Sequence, residues 1–463
     1  MSEFNQIFKS KFARCIWVAG VFLLVVTGTV LVTGALVRHA LLGGEKLSAK
    51  QQVIVMSVAE FPSLAYKVLQ EFWDLEGRLS LFKSKKDIEK NSWVRQFPFA
   101  ADDGYLLFSG VIPGKAQSVV QLIKISDGGV MAEWKPDWAA VNDLITDKKY
   151  GEKGGTKLSR AYHPLLLDNG DLIFNTGNAL VRLALCESKP TWVLDNVYHH
   201  SNEIAVDRQS IWVPSVFDGY FSNNYFLKEK LRDDSLARVS LDGKVLENHS
   251  FSKILMDNGL REFLLGRSGI KFNEDPVHIN QISIAQQDSK FWRRGDLLIS
   301  ARHLSSIFLY RPSTGKIIWH QLGPWMNQHS VRFVDDHRIS IFDNNVFGGA
   351  PQAQPFVNAD SVNRVFVYDF ISKQASQPYL KQLTAARPIT FSEGRAQVLP
   401  DGGLFIEETN FGRHLRFSKD GLLWSRVNDY DDQSIGVVSW SRYLTQDEVK
   451  IPLAKISPGC LSN

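Results

Sequence analysis

The side chains best suited to chemistry in this sequence are a few histidines and one arginine that lie far apart along the chain. Imidazole can attack an electrophile, transfer a proton or bind a metal, and a guanidinium can bind an oxyanion. Among the 11 histidines, those in the most distinctive contexts, together with the arginine, are His199-His200, His278, Arg302 and His329. Each lies at the edge of a recurring strand-like phrase. We therefore expect a site that is assembled from several chain segments.

Two other interpretations of these histidines stay open at this point. A histidine at a strand edge is more often a satisfied turn or core residue than a catalyst. Alternatively, His200, His278 and His329 could converge on Zn²⁺ as three imidazole ligands. Arg302 argues against the metal, because a cation beside a divalent ion is costly unless substrate anions intervene. We therefore predict no metal and no cofactor.

The elements that position these residues are predicted to be strands, because a turn signal followed by a short apolar run recurs along the chain. The clearest copies are 103–108, 169–174, 295–300 and 401–406. Two looser copies give six starts, at 103, 168, 207, 294, 335 and 401. A second phrase, a Gly turn and then a strand that reaches Trp, follows several of them, as in Thr314 to Trp319 and Asp420 to Trp424.

Repeated four-stranded units with turn signals and periodic aromatic residues are typical of a β-propeller. Six starts therefore predict an all-β, six-bladed propeller over residues 93–463. The intervals between starts are irregular, so a pair of β-sandwiches or another large all-β fold stays open. In a propeller, the innermost strands of different blades converge on a central channel. Residues scattered along the chain can meet there.

Six short motifs around these residues occur in a fixed order between about Leu166 and Trp424. They are His199-His200, His278-Ile279-Asn280, Ser300-Ala301-Arg302, Thr314 to Trp319, Gln328-His329 and Phe342-Asp343-Asn344. No one of them is specific, but six in register are. In this order the sequence resembles the bacterial arylsulfate sulfotransferase family.

That resemblance implies a role for each reactive residue. His329 would be the nucleophile that becomes sulfated. His278, Arg302 and one histidine of the pair, preferably His200, would hold and polarise the sulfuryl oxygens. The resemblance also implies an aryl sulfate donor and a phenol as the acceptor hydroxyl. If the chain is anchored in a membrane, as predicted below, a surface glycan or another membrane-associated molecule is an alternative acceptor.

Three further residues are expected to line or support the substrate site. His199 is the alternative inward-facing member of its pair. Asn280 and Asn344 are candidate partners, although Asn in such turns can simply satisfy local backbone groups. His303 adjoins Arg302 but should face the opposite side of an extended strand, so we interpret it as structural.

Sulfuryl transfer would explain these residue types. If it is loose, like phosphoryl transfer, catalysis is mainly positioning and charge stabilisation. An attacking imidazole must be unprotonated, and a nearby Arg302 would lower the pKa of His329. His200 or His278 could donate the proton that a departing phenolate needs. A covalent route predicts ping-pong kinetics, and the lack of a Gly-rich loop ending in Lys-Ser/Thr argues against a nucleotide donor.

The N-terminus has a different character from the rest of the chain. Residues 15–37 contain no charged residue, and about 20 apolar residues suffice to span a bilayer. We predict a cytoplasmic N-terminus (1–14), a single-pass membrane anchor (15–37), a helical stalk and linker (38–92), and a propeller in the periplasm or outside the cell. The net charge of +4 gives no footprint for nucleic acid, and the oligomeric state is not predicted.

The cysteines and one alternative function complete the expectations. Of 3 cysteines, Cys186 and Cys460 could pair only if the C-terminus folds back, and nothing in their spacing demands a bridge, so two unrelated thiols are preferred. The alternative function is a non-catalytic, membrane-anchored propeller that binds a partner or a polysaccharide. An arginine and histidines in the family's order favour the enzyme.

Overall fold

The computed structural model of the chain describes two units, Met1–Ser80 and Leu81–Asn463. The residues described are 27–29, 32–37, 48, 51, 55, 82–84, 102, 104–115, 117–145, 160–218, 231–265, 275–346 and 362–456. Most of the predicted membrane anchor and of the predicted stalk therefore lies outside the described residues. Within those that are described, no helix is both long and apolar enough to cross a membrane.

In its described residues, the regular structure of the second unit is mostly short antiparallel strands. In chain order they are β1 (Phe82–Ser84), β2 (Tyr105–Val111), β3 (Ser118–Lys124), β4 (Val130–Trp134), β5 (Tyr162–Leu166), β6 (Leu172–Asn175), β7 (Ala179–Leu183), β8 (Pro190–Asp195), β9 (Glu203–Ile204), β10 (Ser210–Val216), β11 (Asp234–Ser240), β12 (Val245–Ser250), β13 (Ile279–Ile284), β14 (Leu297–Ala301), β15 (Ser306–Arg311), β16 (Lys316–Leu322), β17 (Val331–Phe333), β18 (Arg338–Asp343), β19 (Arg364–Asp369), β20 (Gln374–Ser376), β21 (Arg395–Val398), β22 (Leu404–Glu408), β23 (Arg413–Ser418), β24 (Gly421–Val427), β25 (Ser434–Gly436) and β26 (Arg442–Leu444).

These strands form six four-stranded sheets, the blades of a β-propeller. Blade 1 has the order β26-β2-β3-β4, and blades 2 to 6 are β5 to β8, β9 to β12, β13 to β16, β17 to β20 and β21 to β24. Blade 1 closes the ring, because the late strand β26 pairs antiparallel with the early strand β2, with Tyr105 opposite Leu444. The six-bladed all-β fold is therefore confirmed.

Each predicted start lies just before the second strand of a blade, namely β2, β6, β10, β14, β18 and β22. The hairpin from Thr314 to Trp319 joins the third and fourth strands of blade 4. The local pattern therefore located one strand in every blade. Its near-continuous apolar character has a simple cause, since both faces of this strand are buried against neighbouring blades.

The hydrophobic core is divided into six layers, one between each pair of adjacent blades. Alternate residues of one strand enter different layers: Leu106 and Phe108 pack between blades 6 and 1, whereas Leu107 packs between blades 1 and 2. Successive side chains of a strand point to opposite faces, so each blade contributes to two layers.

The helices described in the second unit are short. They are α1 (Trp138–Asp143), α2 (Phe251–Asp257), α3 (Glu262–Leu265), α4 (Leu380–Ala386) and α5 (Gln446–Leu453), with 3₁₀ turns at Arg302–Leu304 and Thr409–Phe411. The strand β1, within the segment that the sequence predicted as stalk and linker, pairs with β25. α5 begins with a capping box between Thr445 and Glu448 and follows directly after the closing strand.

The expectation of two unrelated thiols was wrong, because Cys186 is disulfide-bonded. Its partner lies outside the described residues. Cys186 follows β7 in a left-handed turn with φ of 64°. Spacing along the chain contains no information about which distant segment lies beside such a turn, and this explains the error.

Replacing Asp102 by Ala should weaken the closure of the ring. Its carboxylate accepts hydrogen bonds from Trp424 Nε1 in blade 6 and from the Tyr443 hydroxyl in β26, each at 2.7 Å. The substitution removes the acceptor of both donors and of the Gly104 N–H, which donates to Oδ1 at 3.0 Å, so we expect the free energy of unfolding to fall by about 2–4 kcal/mol. Urea denaturation of the variant measures this loss. The matched control is Asp127→Ala, at an exposed ion pair with Lys124; an equal loss there would contradict the assignment.

Candidate active site

One end of the channel is marked by residues with left-handed backbone. Each blade has one of them at or just before its innermost strand: Trp440 (φ 58°), His163 (49°), His200 (57°), His278 (54°), Asn327 (48°) and Gly394 (119°). Five of the six are not glycine, although positive φ is costly for other residues and such strain clusters at functional sites. Because the innermost strands all begin at the same end of a propeller, these residues surround one mouth of the channel.

His329 is held rigidly just before β17. Its backbone N–H donates to Phe342 O at 3.0 Å, and its Nδ1–H donates to Asn344 Oδ1 at 2.6 Å. The orientation of the Asn344 amide is determined by its own donor, since Nδ2 donates to Thr390 O and Glu393 O at 2.9 and 2.7 Å. Its oxygen must therefore face His329. The proton of the neutral imidazole is thus on Nδ1, and the lone pair is on Nε2.

Nε2 is the unpaired nitrogen of the His329 ring. Nε2 of His329 is buried and has no hydrogen-bond partner among the described residues. Burial, followed by the positive charge of Arg302, holds the pKa of His329 well below its usual range. The imidazole is therefore neutral near pH 7, as a nucleophile requires.

The ring of His200 lies between two other histidines of the site. Its centroid is 5.1 Å from that of His278 and 6.3 Å from that of His329. Burial, and then the neighbouring imidazoles, hold the pKa of His200 well below its usual range. The structure thus brings together three of the histidines that the sequence singled out.

His199 occupies a different position from His200. Its Nδ1 is 2.8 Å from Nδ1 of His200, and its Nε2 is 3.6 Å from Asp234 Oδ1. In the described part of the chain, His199 has no ring contact with His278 or His329. Its geometry is that of a support for His200, and direct contact of His199 with substrate stays a prediction.

His278 is oriented by an acidic neighbour that the sequence did not single out. Asp275 Oδ2 lies 2.6 Å from Nδ1 of His278. His303 stacks on the same imidazole at 4.4 Å, and its Nδ1 donates to Asp275 O at 2.6 Å. The prediction that His303 faces away was wrong, because residues 302–304 form a 3₁₀ turn, in which the alternation of a strand does not apply.

Arg302 opens that 3₁₀ turn at the end of β14. Its backbone N–H donates to His278 O at 3.0 Å, so the guanidinium and the imidazole are attached to adjoining backbone. The Arg302 side chain is partly buried, its Nε has no hydrogen-bond partner, and no carboxylate of the described residues lies within salt-bridge distance. Burial lowers the pKa of Arg302 despite the nearby charge of Asp275. A cation with unused donors can bind an anionic group.

Asn280 positions the peptide that carries His329. Its Nδ2 donates to Gln328 O at 2.7 Å. The Gln328 side chain in turn donates to Ser300 Oγ at 3.0 Å and to Ala301 O at 3.2 Å. Asn280 therefore links blade 4 to the start of β17, while its Oδ1 is buried without a partner among the described residues. Contact of Asn280 or Asn344 with substrate stays a prediction.

Two residues at this mouth of the channel, His163 and Trp440, were not predicted from the sequence. Their rings stack at 4.4 Å, and Trp440 lies 5.9 Å from His200. His163 precedes a predicted turn phrase by a few residues, as His200 and His329 do, and this shared offset could have identified it. Trp440 gave no such signal, because it precedes the closing strand.

Metal-ligand geometry is found elsewhere than among the three converging histidines. Two groups of three donors lie within 4.8 Å of one another in the described residues: Asp275, His278 and His303, and Asp335, Asp336 and His337. In the first group, the carboxylate is already hydrogen-bonded to an imidazole. His200, His278 and His329 do not form such a group within the described part of the chain.

Fold and site together define a β-propeller with a cluster of histidines and one arginine at one mouth of its channel, residue types suited to transfer of an anionic group. Residues 163–429, more than half of the chain, match the family model described as Arylsulfotransferase (ASST). The chain belongs to the arylsulfotransferase family, which is a family of sulfotransferases.

Other comparisons are more distant. A protein of unknown function from Bacteroides caccae is 12% identical with a TM-score of 0.44, and the match covers 74% of this chain and 99% of that one. An inactive virginiamycin B lyase from Staphylococcus aureus, with quinupristin, is 10% identical (TM-score 0.35; 70% and 84% covered). TolB from Acinetobacter baumannii is 10% identical (TM-score 0.38; 74% and 66% covered). No curated protein matches.

Replacing Asn344 by Leu should slow transfer without unfolding the protein. The substitution removes the acceptor of His329 Nδ1–H and therefore releases the tautomer and the orientation of the ring. Residues that orient a reactive histidine in this way typically contribute about 10–100-fold. We expect kcat with an aryl sulfate to fall by that factor, with a small change in KM. Asn345→Gly, at the neighbouring amide with φ of 54°, is the control; a fall only in KM would contradict the orienting role.

Proposed function

We propose that this protein transfers a sulfuryl group from an aryl sulfate ester to an acceptor hydroxyl, through a covalent sulfohistidine at His329. The observation that carries the proposal is the state of one atom. Nε2 of His329 is buried, has no partner among the described residues, and holds the lone pair because Asn344 fixes the proton on Nδ1. Buried polar atoms usually have a hydrogen-bond partner, so an unpartnered nitrogen close to the charge of Arg302 is a candidate reactive atom.

In the first half-reaction, Nε2 of His329 attacks the sulfur of the donor. The N–S bond forms, the bond between sulfur and the aryl oxygen breaks, and the phenol leaves with a proton. We assign delivery of that proton to His278, whose ring is oriented by Asp275. Arg302 stabilises the charge on the three equatorial oxygens.

In the second half-reaction, the acceptor hydroxyl replaces the phenol. The acceptor oxygen attacks the sulfur, and the hydroxyl proton passes to the imidazole of His278. The N–S bond breaks, and His329 is released as the neutral ring. An acceptor of any class with an accessible hydroxyl satisfies this scheme, so phenols and glycans are both proposed acceptors. No nucleotide takes part, and the scheme requires neither a metal nor a cofactor.

The test uses the purified full-length chain, an aryl sulfate with a chromogenic phenol, and a second phenol as acceptor, in the presence of a chelator and without nucleotide. Phenol release with parallel initial-rate lines at varied acceptor supports the ping-pong scheme. After brief exposure to donor alone, peptide mass spectrometry should find one sulfuryl group on His329. Intersecting lines and an unmodified His329 would overturn the covalent route.

A complete lack of release with several donors would favour the alternative, a propeller that binds a partner or a polysaccharide without catalysis. Glycan-array binding of the same preparation then becomes the decisive measurement. The order of reactive residues in the sequence favours the enzyme, since a binding module needs neither an unpartnered nucleophile nor an arginine with free donors.

We also propose that residues 15–37 anchor the chain in a membrane, with the N-terminus in the cytoplasm and the propeller in the periplasm or outside the cell. Support comes from the charge-free stretch and from Lys9, Lys11 and Arg14 before it. This arrangement would be contradicted if alkali extracted the protein from membranes. It would also be contradicted if the propeller were protected from protease added to intact cells with permeabilised outer layers. Surface glycans are accessible acceptors only if the propeller is outside the cytoplasm.

A further inference from the structure

A buried carboxylate lies behind the histidine pair, at the start of β11. Asp234 is 1% exposed, and the sequence did not single it out. Its Oδ1 accepts from Arg232 Nε at 2.9 Å, and its Oδ2 accepts from the backbone N–H of Ile279 at 2.5 Å. Burial alone would raise the pKa of Asp234, but Arg232 and His199 lower it, so the carboxylate is ionised near pH 7. A fixed negative charge therefore lies beside His199.

The charge of Asp234 decides which nitrogen of His199 has the proton. Nε2 of His199 lies 3.6 Å from Asp234 Oδ1, which is too long for a good hydrogen bond but well within range of the charge. Burial, and then the charge of Arg232, lower the pKa of His199, so its ring is neutral and has one proton. The carboxylate repels a lone pair on Nε2 and attracts an N–H there. The proton is therefore on Nε2, and Nδ1 has the lone pair.

The tautomer of His199 in turn fixes that of His200. The two Nδ1 atoms lie 2.8 Å apart, so one of them donates and the other accepts. Since Nδ1 of His199 has the lone pair, Nδ1 of His200 has the proton. The ring of His200 is also neutral, because burial and the neighbouring imidazoles hold its pKa well below the usual range. Nε2 of His200 is therefore a hydrogen-bond acceptor.

Nε2 of His200 is available to a ligand. The hydrogen bonds that His200 makes to described residues use its carbonyl oxygen and Nδ1, which leaves Nε2 unpaired in that part of the chain. His200 is partly exposed, unlike the buried His199. Its ring lies between those of His278 and His329. A lone pair in this position can bind a hydroxyl but has no proton to offer a sulfuryl oxygen.

We propose that Nε2 of His200 takes the proton of the acceptor hydroxyl in the second half-reaction, and that Asp234 and His199 are positioning residues that hold His200 in the required tautomer. This inference rests on the proposed function. As the acceptor oxygen bonds to sulfur, the O–H bond breaks, an N–H bond forms at Nε2 of His200, and the N–S bond of His329 breaks. His200 then passes the proton to His278, the proton donor of the first half-reaction.

The proton moves in this direction because the surroundings of the two imidazoles differ. His200 lies among other imidazoles, which disfavour its charged form. His278 is paired with Asp275, whose Oδ2 lies 2.6 Å from its Nδ1, and this carboxylate stabilises an imidazolium. The ring centroids of His200 and His278 are 5.1 Å apart. The proton therefore returns to His278 in each turnover, and the two half-reactions balance.

The test measures the two half-reactions separately in the full-length protein. The first is the burst of a chromogenic phenol after mixing with an aryl sulfate alone. The second is the loss of the sulfuryl group from His329, followed by mass spectrometry after excess donor is removed and a phenolic acceptor is added. A structural defect slows both half-reactions, whereas loss of the base at His200 slows only the second.

Asp234→Asn should reverse both tautomers. With its oxygen kept on the Ile279 N–H, the new amide turns an N–H toward Nε2 of His199, and the proton of His200 then moves to Nε2. We expect the second half-reaction to slow by about 10²-fold or more, the usual contribution of a general base, while the first stays close to the wild-type rate. An equal loss in both half-reactions would overturn the proposal.

Asp233→Asn is the matched control. Asp233 is also a buried carboxylate, but it accepts from Ser250 Oγ and from the Ser252 N–H, at 2.6 and 3.1 Å, and not from a histidine. This variant should leave the ratio of the two half-reactions unchanged. If it slows the second half-reaction as much as Asp234→Asn does, the effect is structural and the proposal fails.

Two substitutions at His199 test the next step of the relay. Asparagine at this position can offer its amide oxygen to the Nδ1–H of His200, and leucine cannot. His199→Asn should therefore retain more of the second half-reaction than His199→Leu does. Equal rates in the two variants would show that the tautomer of His200 does not depend on residue 199.

A direct measurement on the wild-type protein covers the case in which Asp234→Asn does not fold. Neutron diffraction from crystals exchanged into D₂O should show deuterium on Nδ1 of His200 and on Nε2 of His199. Deuterium on Nε2 of His200 would overturn the proposal. If wild-type His329 never becomes sulfated, the proposed function and this inference both fail; if it does and Asp234→Asn loses the group at the wild-type rate, only this inference fails.

Discussion

Replacing His329 by Asn is expected to abolish sulfuryl transfer, with kcat lower by about 10⁴-fold or more, as when other covalent nucleophiles are removed. Asn is close in size to the imidazole ring but has no lone pair that can attack sulfur. Because Nε2 of His329 is buried and unpartnered, loss of the ring removes no hydrogen bond at that end. Steady-state release of a chromogenic phenol measures the rate, and peptide mass spectrometry should find no sulfuryl group.

We expect His329→Asn to fold like the wild-type protein, so that a loss of activity reports on catalysis and not on unfolding. Far-ultraviolet circular dichroism and the melting temperature of His329→Asn test that expectation. His337→Asn is the control, because His337 lies in the same blade but contacts Asp336 at a partly exposed turn. A His329→Asn protein that retains more than about one per cent of wild-type kcat would show that His329 is not the nucleophile.

The second large effect is expected for Arg302→Gln, with kcat/KM lower by about 10²–10³-fold, the usual loss for one donor to a developing oxyanion. Glutamine can still donate a hydrogen bond but carries no charge and lacks the planar fork. Arg302→Lys should recover part of the rate, because it restores the charge without the geometry. Initial rates with a series of aryl sulfates measure both variants.

A pH profile distinguishes an electrostatic role of Arg302 from a merely structural one. The positive charge of Arg302 lowers the pKa of His329, so removing that charge raises this pKa. At a given acidic pH a larger fraction of His329 is then protonated and unable to attack. The acid limb of kcat/KM should therefore move to higher pH in Arg302→Gln and stay in place in Arg302→Lys. If the acid limb of kcat/KM stays in place in Arg302→Gln, the proximity of Arg302 to His329 is contradicted.

Much of the architecture was predictable because it is encoded locally. A turn followed by an apolar run identifies the second strand of each blade, since that strand is buried on both faces and has no polar side. Six such runs predicted six blades, and the order of the histidine and arginine motifs indicated the family. The irregular spacing has a local cause too, because helices and long connections separate some blades and not others.

Other features depended on which segments become neighbours. Asp275 and His303 flank His278 only because residues 302–304 turn as a 3₁₀ helix, and strand alternation predicted the reverse for His303. The disulfide of Cys186 could not be inferred from spacing for the same reason. The reactive nitrogen of His329 was decided by Asn344, whose amide is oriented by carbonyl groups from the next blade.

The sequence by itself determined the class of fold, the number of blades and the family, because short-range periodicity and residue order specify them. The roles of His329, Arg302 and His278 in the reaction stay predictions. Only the tertiary structure decided which nitrogen of His329 is free, which histidine of the pair meets the others, and that Arg395 faces Glu203 across the channel. Ring closure brings together residues nearly two hundred positions apart. Tautomers, burial and charge balance arise from those contacts, and no local pattern in the chain encodes them.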